Sequence, residues 1–290
     1  MFTHNPITPV RLEIVVDLLL RNPLGYARGD IYRLLTPEPL EPELSPGSGA
    51  KTSVSAVIEL EIAEEVTGRT GDKVVKIREP YRKMSARDIL LHAFDIKVLS
   101  CPKIEPYFAL FYAFFLGLGK GVYRLKHSSG EDWAKKFNRD LALPEGEGEN
   151  QFNKFKHDKL SNWFCYVGLG WNDPFNVFQA NPFARILRSL PGIFGANTKM
   201  SSGDFMVNLG QKCPELDGGA IFRIANRNWS PEEKYCSLGL SHALIELHEE
   251  GVLLLDCPAD CQEWSLKEAE PPRDDFFKGD RFASIEWRRN

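Results

Sequence analysis

The chain uses one phrase twice. Residues 55–60 read SAVIEL and residues 242–247 read HALIEL, and each runs through glutamates into a cluster of valines or leucines. Both begin with apolar residues at helical spacing and pass into the branched residues that favour strands. A helix that leads straight into a strand, used twice, points to two copies of one supersecondary unit. That constrains the fold more than any bulk property.

The first copy has a lead-in. ITPVRLEIVVDLLLRNP sets Val10, Ile14 and Leu18, and likewise Val15 and Leu19, at helical intervals. Thr8-Pro9 marks the start and Asn22-Pro23 the stop. ARGDIYRLLTP predicts a short second helix ended by Pro37, and PEPLEPELSPGSGAKT can only be loop. SVSAVIELEIAEEV then places Val54, Val57, Ile58 and Ile62 on one face, which predicts a third helix over 50–66. TGRTGDKVVKI follows as strand, turn and strand. Helix, helix, loop, helix and hairpin is the order of a winged helix, a helix-turn-helix variant closed by a β-hairpin wing.

The second copy repeats the plan. MSSGDFMVNLGQKCP predicts a capped helix, and SPEEKYCSLGLSHALIELHEEG a third-helix equivalent ending at Gly251. VLLLD, the CPADC turn and QEWSLK supply the matching hairpin. Between the copies, SARDILLHAFDI and the aromatic block at 106–116 predict buried helices. KFKHDKLSNWFCYVGLGW predicts a helix ending at Gly168 or Gly170, and NPFARILRSLPGIF a short helix between two prolines. The expected fold class is therefore mainly α with small β-hairpins (α+β): tandem winged-helix-like units joined by a helical middle region. The expected boundaries are 1–83 for the first unit, 84–143 for the middle and 144–153 for a linker. The helical region with the second unit follows over 154–270, and a tail over 271–290.

With 290 residues there is room for two such units. A net charge of −4 and a pI near 5.9 give no global electrostatic case for nucleic-acid binding, so any such contact must be local. MFTHNPITPVRLEIVVDLLLRN lacks the basic start and apolar run of a signal peptide or anchor. PYFALFYAFFLGLGKGVY is interrupted by glycines and Lys120 short of the ~20 residues a membrane span needs. Cysteines at 101, 165, 213, 236, 257 and 261 are scattered as in a reducing compartment. The expectation is a cytoplasmic protein without a membrane partner. CPADC has no second Cys or His pair at zinc spacing and is read as a turn.

Local charge is informative. The predicted helix 50–66 sets Lys51 against Glu59, Glu61, Glu64 and Glu65, and the second copy ends in Glu246, His248, Glu249 and Glu250. Both C-terminal halves would repel phosphate. Lys51, Thr52, Ser53 and Ser55 at the start of the first are able to bond phosphate or base edges. The wing carries Arg69, Lys73, Lys76, Arg78, Arg82 and Lys83 against Asp72 and Glu79, and residues 120–139 are similarly basic. Two readings stay open: phosphate contact by the wing, or a solvated hairpin face. The first requires Lys73, Lys76 and Arg78 to face solvent together and without acidic partners.

Catalytic signals are missing from the pattern. Histidines 4, 92, 127, 157, 242 and 248 form no metal-binding pair, and His242 and His248 fall on different faces of a helix. GLGKG lacks the spacing of a phosphate loop, and PELDGG, with Glu215 and Asp217, is first a turn. No G-x-S-x-G or Cys/His signature occurs. The expectation is no catalytic residue, no metal and no cofactor.

TPVRLEIVVDLLL, DIYRLLTPEPL, SNWFCYVGLGW, CPELDGG and LGLSHALIELHEEGVLLLDCPAD together resemble the DpdG family. That family is encoded in bacterial gene clusters that insert 7-deazaguanine derivatives into DNA, beside helicases and phospholipase-D-like nucleases. The resemblance runs over roughly 7–270 and carries over no catalytic residue. It implies an accessory subunit of a DNA modification-restriction and phage-defence system. The expected function is a non-enzymatic winged-helix adaptor with weak, non-specific DNA contact and other subunits of a defence complex as partners. One alternative is a tandem winged-helix transcription regulator. Another is a metal-dependent nuclease using Glu215 and Asp217.

Overall fold

The computed structural model describes residues 7–36, 48–68, 71–100, 106–119, 130–141, 152–174, 177–257, 263–267 and 281–289. The chain divides into two compact units, Met1–Glu105 and Pro106–Asn290. The described residues are mainly helical, with eleven α-helices and small antiparallel sheets, an α+β chain.

In the N-terminal unit, helix α1 (Pro9–Arg21) starts as the sequence predicts. The Thr8 hydroxyl accepts from the Arg11 amide at 3.3 Å, and Pro9 sits where its missing N–H costs nothing. Its buried stripe is Leu12, Val15, Val16 and Leu19. Strand β1 (Tyr26–Ala27), α2 (Arg28–Leu35), α3 (Ser48–Glu59), β2 (Ala63–Thr67) and β3 (Lys73–Ile77) follow. The three strands form an antiparallel sheet in the order β1-β3-β2.

Helix α3 begins at Ser48, within the stretch expected to be loop, and stops earlier than the expected 66. Glu61 adopts φ 57, the left-handed conformation that ends a helix, and the Ile62 amide turns back to the Val57 carbonyl at 3.0 Å. The glutamate-rich stretch has helical propensity, but pairing with β3 overrides it. Ala63 faces Ile77 and Glu64 faces Lys76 across the hairpin. Of the glutamates expected on the third helix, Glu59 ends α3, Glu61 forms the turn, and Glu64 and Glu65 lie on the hairpin.

The helices expected between the units are shared out. Residues of SARDILLHAFDI form α4 (Ala86–Ala93), capped by the Ser85 hydroxyl, and a π-helical turn over Phe94–Leu99, and α4 packs on α1. The aromatic block becomes α5 (Pro106–Leu118) of the second unit.

There α5, α6 (Gly130–Asp140) and α7 (Lys154–Tyr166) enclose an aromatic core. The Phe111 ring centre lies 4.4 Å from Phe152 and 5.1 Å from Phe137, and Phe115 stacks on Trp133 at 4.5 Å. A short hairpin, β4 (Gly170–Asn172) and β5 (Phe178–Ala180), follows. Helix α8 (Phe183–Phe194) runs through Pro191 instead of stopping there. The proline is on the exposed side, where water can serve the unpaired carbonyl one turn back.

Strand β6 (Lys199–Ser201), α9 (Ser202–Lys212), α10 (Ala220–Ala225), α11 (Leu238–Glu249) and β7 (Leu253–Asp256) come next. The predicted helix from Ser230 begins only at Leu238, because Lys234 turns left-handed and Ser237 supplies the cap. The predicted hairpin partner of β7 is also corrected. QEWSLK contributes β8 (Trp264–Ser265), which pairs with β9 (Arg281–Phe282), whereas β7 pairs with β10 (Ser284–Trp287). The sheet order is β6-β10-β7.

The two units therefore share one plan. In α1–β1–α2–α3–β2–β3 and in α8–β6–α9–α11–β7–β10, the last strand lies between the other two. The second adds α10 and the β8–β9 pair. SAVIEL and HALIEL occupy the same step of the third helix, with Ala56, Val57 and Leu60 buried in one and Ala243, Leu244 and Leu247 in the other. Among the described residues no helix is long and apolar enough to cross a membrane.

Candidate functional site

The cations expected on the wing do not stand together on the hairpin. On β3, Lys73 shares its strand face with the buried Val75 and Ile77, and Lys76 alternates to the opposite one. Each is met by an acid. Lys73 Nζ lies 2.9 Å from Glu65, Lys76 Nζ 3.2 Å from Glu64, and Arg78 3.3 Å from Glu61 and 3.9 Å from Glu64. Arg28 adds a contact of 2.7 Å to Glu65, and Lys97 one of 2.7 Å to Glu61. Five cations thus share three carboxylates. The Lys73 hydrogen bond holds the Glu65 carboxyl below its ordinary range, and that from Lys97 does the same for Glu61.

The remaining expected contact residues are dispersed. Arg82 donates to the Pro23 carbonyl at 3.2 Å and pairs with Glu79 at 3.0 Å. Lys83 and Lys51 are exposed, and among the described residues neither makes an ion pair. Thr52 is half-buried. Ser53 does not face solvent at all: it is 1 % exposed and its hydroxyl donates to the Gly49 carbonyl at 2.8 Å. Its place on the core side of α3 removes it from any contact surface. Arg69 lies outside the described residues.

The third helices differ in what they present. On α3, Lys51, Ser55 and Glu59 are exposed at four-residue steps along one face. The matching start of α11 is enclosed. Leu238, Gly239, Leu240 and Ser241 are all buried, and the first exposed residue is Glu249. Strand β8 lies along the approach to α11: Cys236 N donates to the Ser265 carbonyl at 3.0 Å, and Lys267 N to the Ser241 hydroxyl at 2.9 Å. On the other side, a Cβ at Gly239 would stand 2.6 Å from the Ala180 carbonyl and 2.6 Å from Leu116.

Glu215 and Asp217 are buried anchors. Both are fully inaccessible. Arg185, itself buried on α8, donates from Nε to Glu215 Oε1 at 2.8 Å, and also reaches Ser189 and the Lys212 carbonyl. Asp217 accepts from the Ser237 amide at 2.5 Å and its hydroxyl at 2.8 Å, so it fixes the cap of α11. Burial raises the Asp217 carboxyl to about 6 despite those bonds, and burial beside both carboxylates drives the Tyr112 hydroxyl well up. Among the described residues no group of three or more His, Cys, Asp or Glu is placed to hold a metal ion. No sequence pattern marks Arg185, which sits in FARILRSL like any surface cation.

A cavity of about 710 Å³ opens beside the C-terminus of α5, with Phe114, Phe222 and Trp229 in its wall and Tyr235 and Lys267 also lining it. Trp229 meets Phe222 edge to face at 5.6 Å. Asp140, which also lines it, would be raised by burial, but hydrogen bonds from Lys136 and Arg139 hold it lowered.

A family model described as DpdG-like matches residues 2–261, most of the chain. No curated protein and no solved structure matches.

Proposed function

The chain belongs to the DpdG-like family, and from that premise we propose that it is a non-catalytic adaptor built from two winged-helix units. Family membership suggests a role in the Dpd 7-deazaguanine DNA-modification system. The N-terminal unit makes weak, non-specific contact with DNA through Lys51 and Thr52 at the start of α3 and through Arg82 and Lys83 after the hairpin; Lys73, Lys76 and Arg78, split between faces and each met by a glutamate, do not form the open patch that direct contact by the wing requires. The C-terminal unit docks a protein subunit of the same system.

The shared order of helices and strands, with the last strand central in each sheet, supports the winged-helix assignment. One observation carries the division of labour: the same step of the third helix is an exposed lysine in one unit and a buried leucine in the other. A winged helix reads DNA with exposed polar side chains near the start of that helix. Only α3 has them. Exposed Val207 on α9 and Ile224 on α10 give the second unit apolar surface for a protein partner. A tandem regulator would need α11 open, and a nuclease would need Glu215 and Asp217 within reach of a phosphodiester.

The test is a fluorescence-anisotropy titration of the full chain with labelled duplex DNA across a salt series, with Mg²⁺ present and the DNA inspected afterwards. The expected result is weak binding that falls steeply with salt, weakens further in K51A/K83A, and leaves the DNA intact. Salt-independent binding, or strand cleavage by the purified chain, would overturn it.

A further inference from the structure

We propose that the carboxylates of β2 mask latent polyanion-binding cations on both faces of the hairpin, so that Glu64 and Glu65 compete with nucleic-acid phosphate for the cations of β3. The proposal rests on the winged-helix assignment above and adds what sets the affinity of that unit.

The geometry is specific to the hairpin. Glu64 faces Lys76 directly in the β2–β3 register, and on the opposite face of the hairpin Glu65 bridges Arg28 and Lys73. Glu61 closes the series from its left-handed turn, between Arg78 and Lys97. Three carboxylates are thus divided between the two faces of the hairpin: Glu65 with Arg28 and Lys73 on one, and Glu64 and Glu61 with Lys76, Arg78 and Lys97 on the other. Cations remain in excess on each face, so each is attenuated and not inverted.

Exposed ion pairs of this kind contribute about 0–1 kcal/mol each, which leaves them exchangeable. A phosphate arriving at Lys76 meets a carboxylate already 3.2 Å away. It must displace that carboxylate or share the cation with it. Either course lowers the number of counterions released per contact, which drives most non-specific DNA binding. The arrangement suits a subunit that should hold DNA only when something else raises the local concentration or removes the acids. The partner chemistry is a phosphodiester backbone: evenly spaced, singly charged and without sequence information.

The experiment compares the wild type with Glu64→Gln/Glu65→Gln in the anisotropy assay. Glutamine keeps the size of the side chain, so the hairpin is retained; circular dichroism verifies the fold, and the single variants E64Q and E65Q serve if the double variant is unstable. The double variant is expected to bind about tenfold tighter at about 0.1 M salt, with a log–log salt slope steeper by about 2. The gain should vanish when K73A/K76A/R78A is added.

A double variant no tighter than wild type overturns the masking, and so does a gain that survives the triple alanine change. The two proposals fail separately. Wild type silent with the double variant binding would support masking while removing native DNA contact. Wild type binding steeply, with no gain in the variant, would leave the contact and remove the mask.

Discussion

Position 51 on α3 is an exposed lysine, and the residue at the same step of α11, Leu238, is 9 % exposed. Thr52 corresponds to Gly239, and Ser53 to Leu240. The apolar frame behind these positions is the same in both helices, so both bury an equivalent inner face against their own unit. What differs is the outer face. On α3 it is left to solvent, whereas on α11 it is covered by β8, β5 and α5. A repeated core therefore does not imply a repeated surface, and surface is where binding is decided. One ion pair marks the contrast: the glutamates of the first unit's hairpin share partly exposed cations, whereas Arg185 and Glu215 of the second unit pair in its interior.

The most severe test of that contrast is Arg185→Met. It leaves the Glu215 carboxylate buried and uncompensated, which should cost the second unit about 3–5 kcal/mol in chemical denaturation. Lys76→Met, which breaks an exposed pair, should cost the first unit less than about 1 kcal/mol. Similar costs for the two would erase the distinction between anchor and surface pair.

Next comes Gly239→Ala, whose methyl would meet the Ala180 carbonyl and Leu116; a loss of about 1–3 kcal/mol is expected. The matching change Thr52→Ala should stay within about 0.5 kcal/mol. A tolerated alanine at 239 would mean that the start of α11 is more open than it is here.

The pH dependence is gentler. Asp217 has its carboxyl raised from 3.8 to about 6 by burial. A raised folded-state value means that the contribution to stability is fully present below the unfolded value and is lost as pH rises through about 6. The second unit should therefore weaken by about 1.4 kcal/mol per pH unit between those values. Asp217→Asn should flatten that slope, measured by denaturation at a series of pH values. An unchanged slope would show that Asp217 is not its source.

The smallest effect concerns binding. Lys51→Ala should lower the salt slope of duplex binding by about 1, the loss of one phosphate contact. Leu238→Ala should leave that slope unchanged.

Much of this was legible in the residues. Thr8-Pro9 and Asn22-Pro23 bound α1 because caps and prolines act locally. The six-residue echo identified equivalent helices because burying the same inner face against a sheet selects the same apolar spacing. Other features were not legible. EIAEEV has helical propensity, and only pairing with Lys73–Ile77 makes Ala63–Val66 a strand. A signal was present: a turn at 68–72 matches five residues after it with five before it, which places Glu64 beside Lys76. The partner of β7 lay further out of reach, since β10 is contributed from beyond the β8–β9 pair.

The sequence by itself determined the mainly helical α+β class, the repeated third helix and the places where cations and acids accumulate. Spacing, caps and composition operate within a few residues and need no knowledge of the fold. The tertiary structure alone decided which glutamate meets which lysine, that Arg185 is buried against Glu215, and that α11 is enclosed while α3 is not. Those outcomes depend on segments distant in the chain coming together, and a charge or a serine reads the same in sequence whether solvent or another strand lies against it.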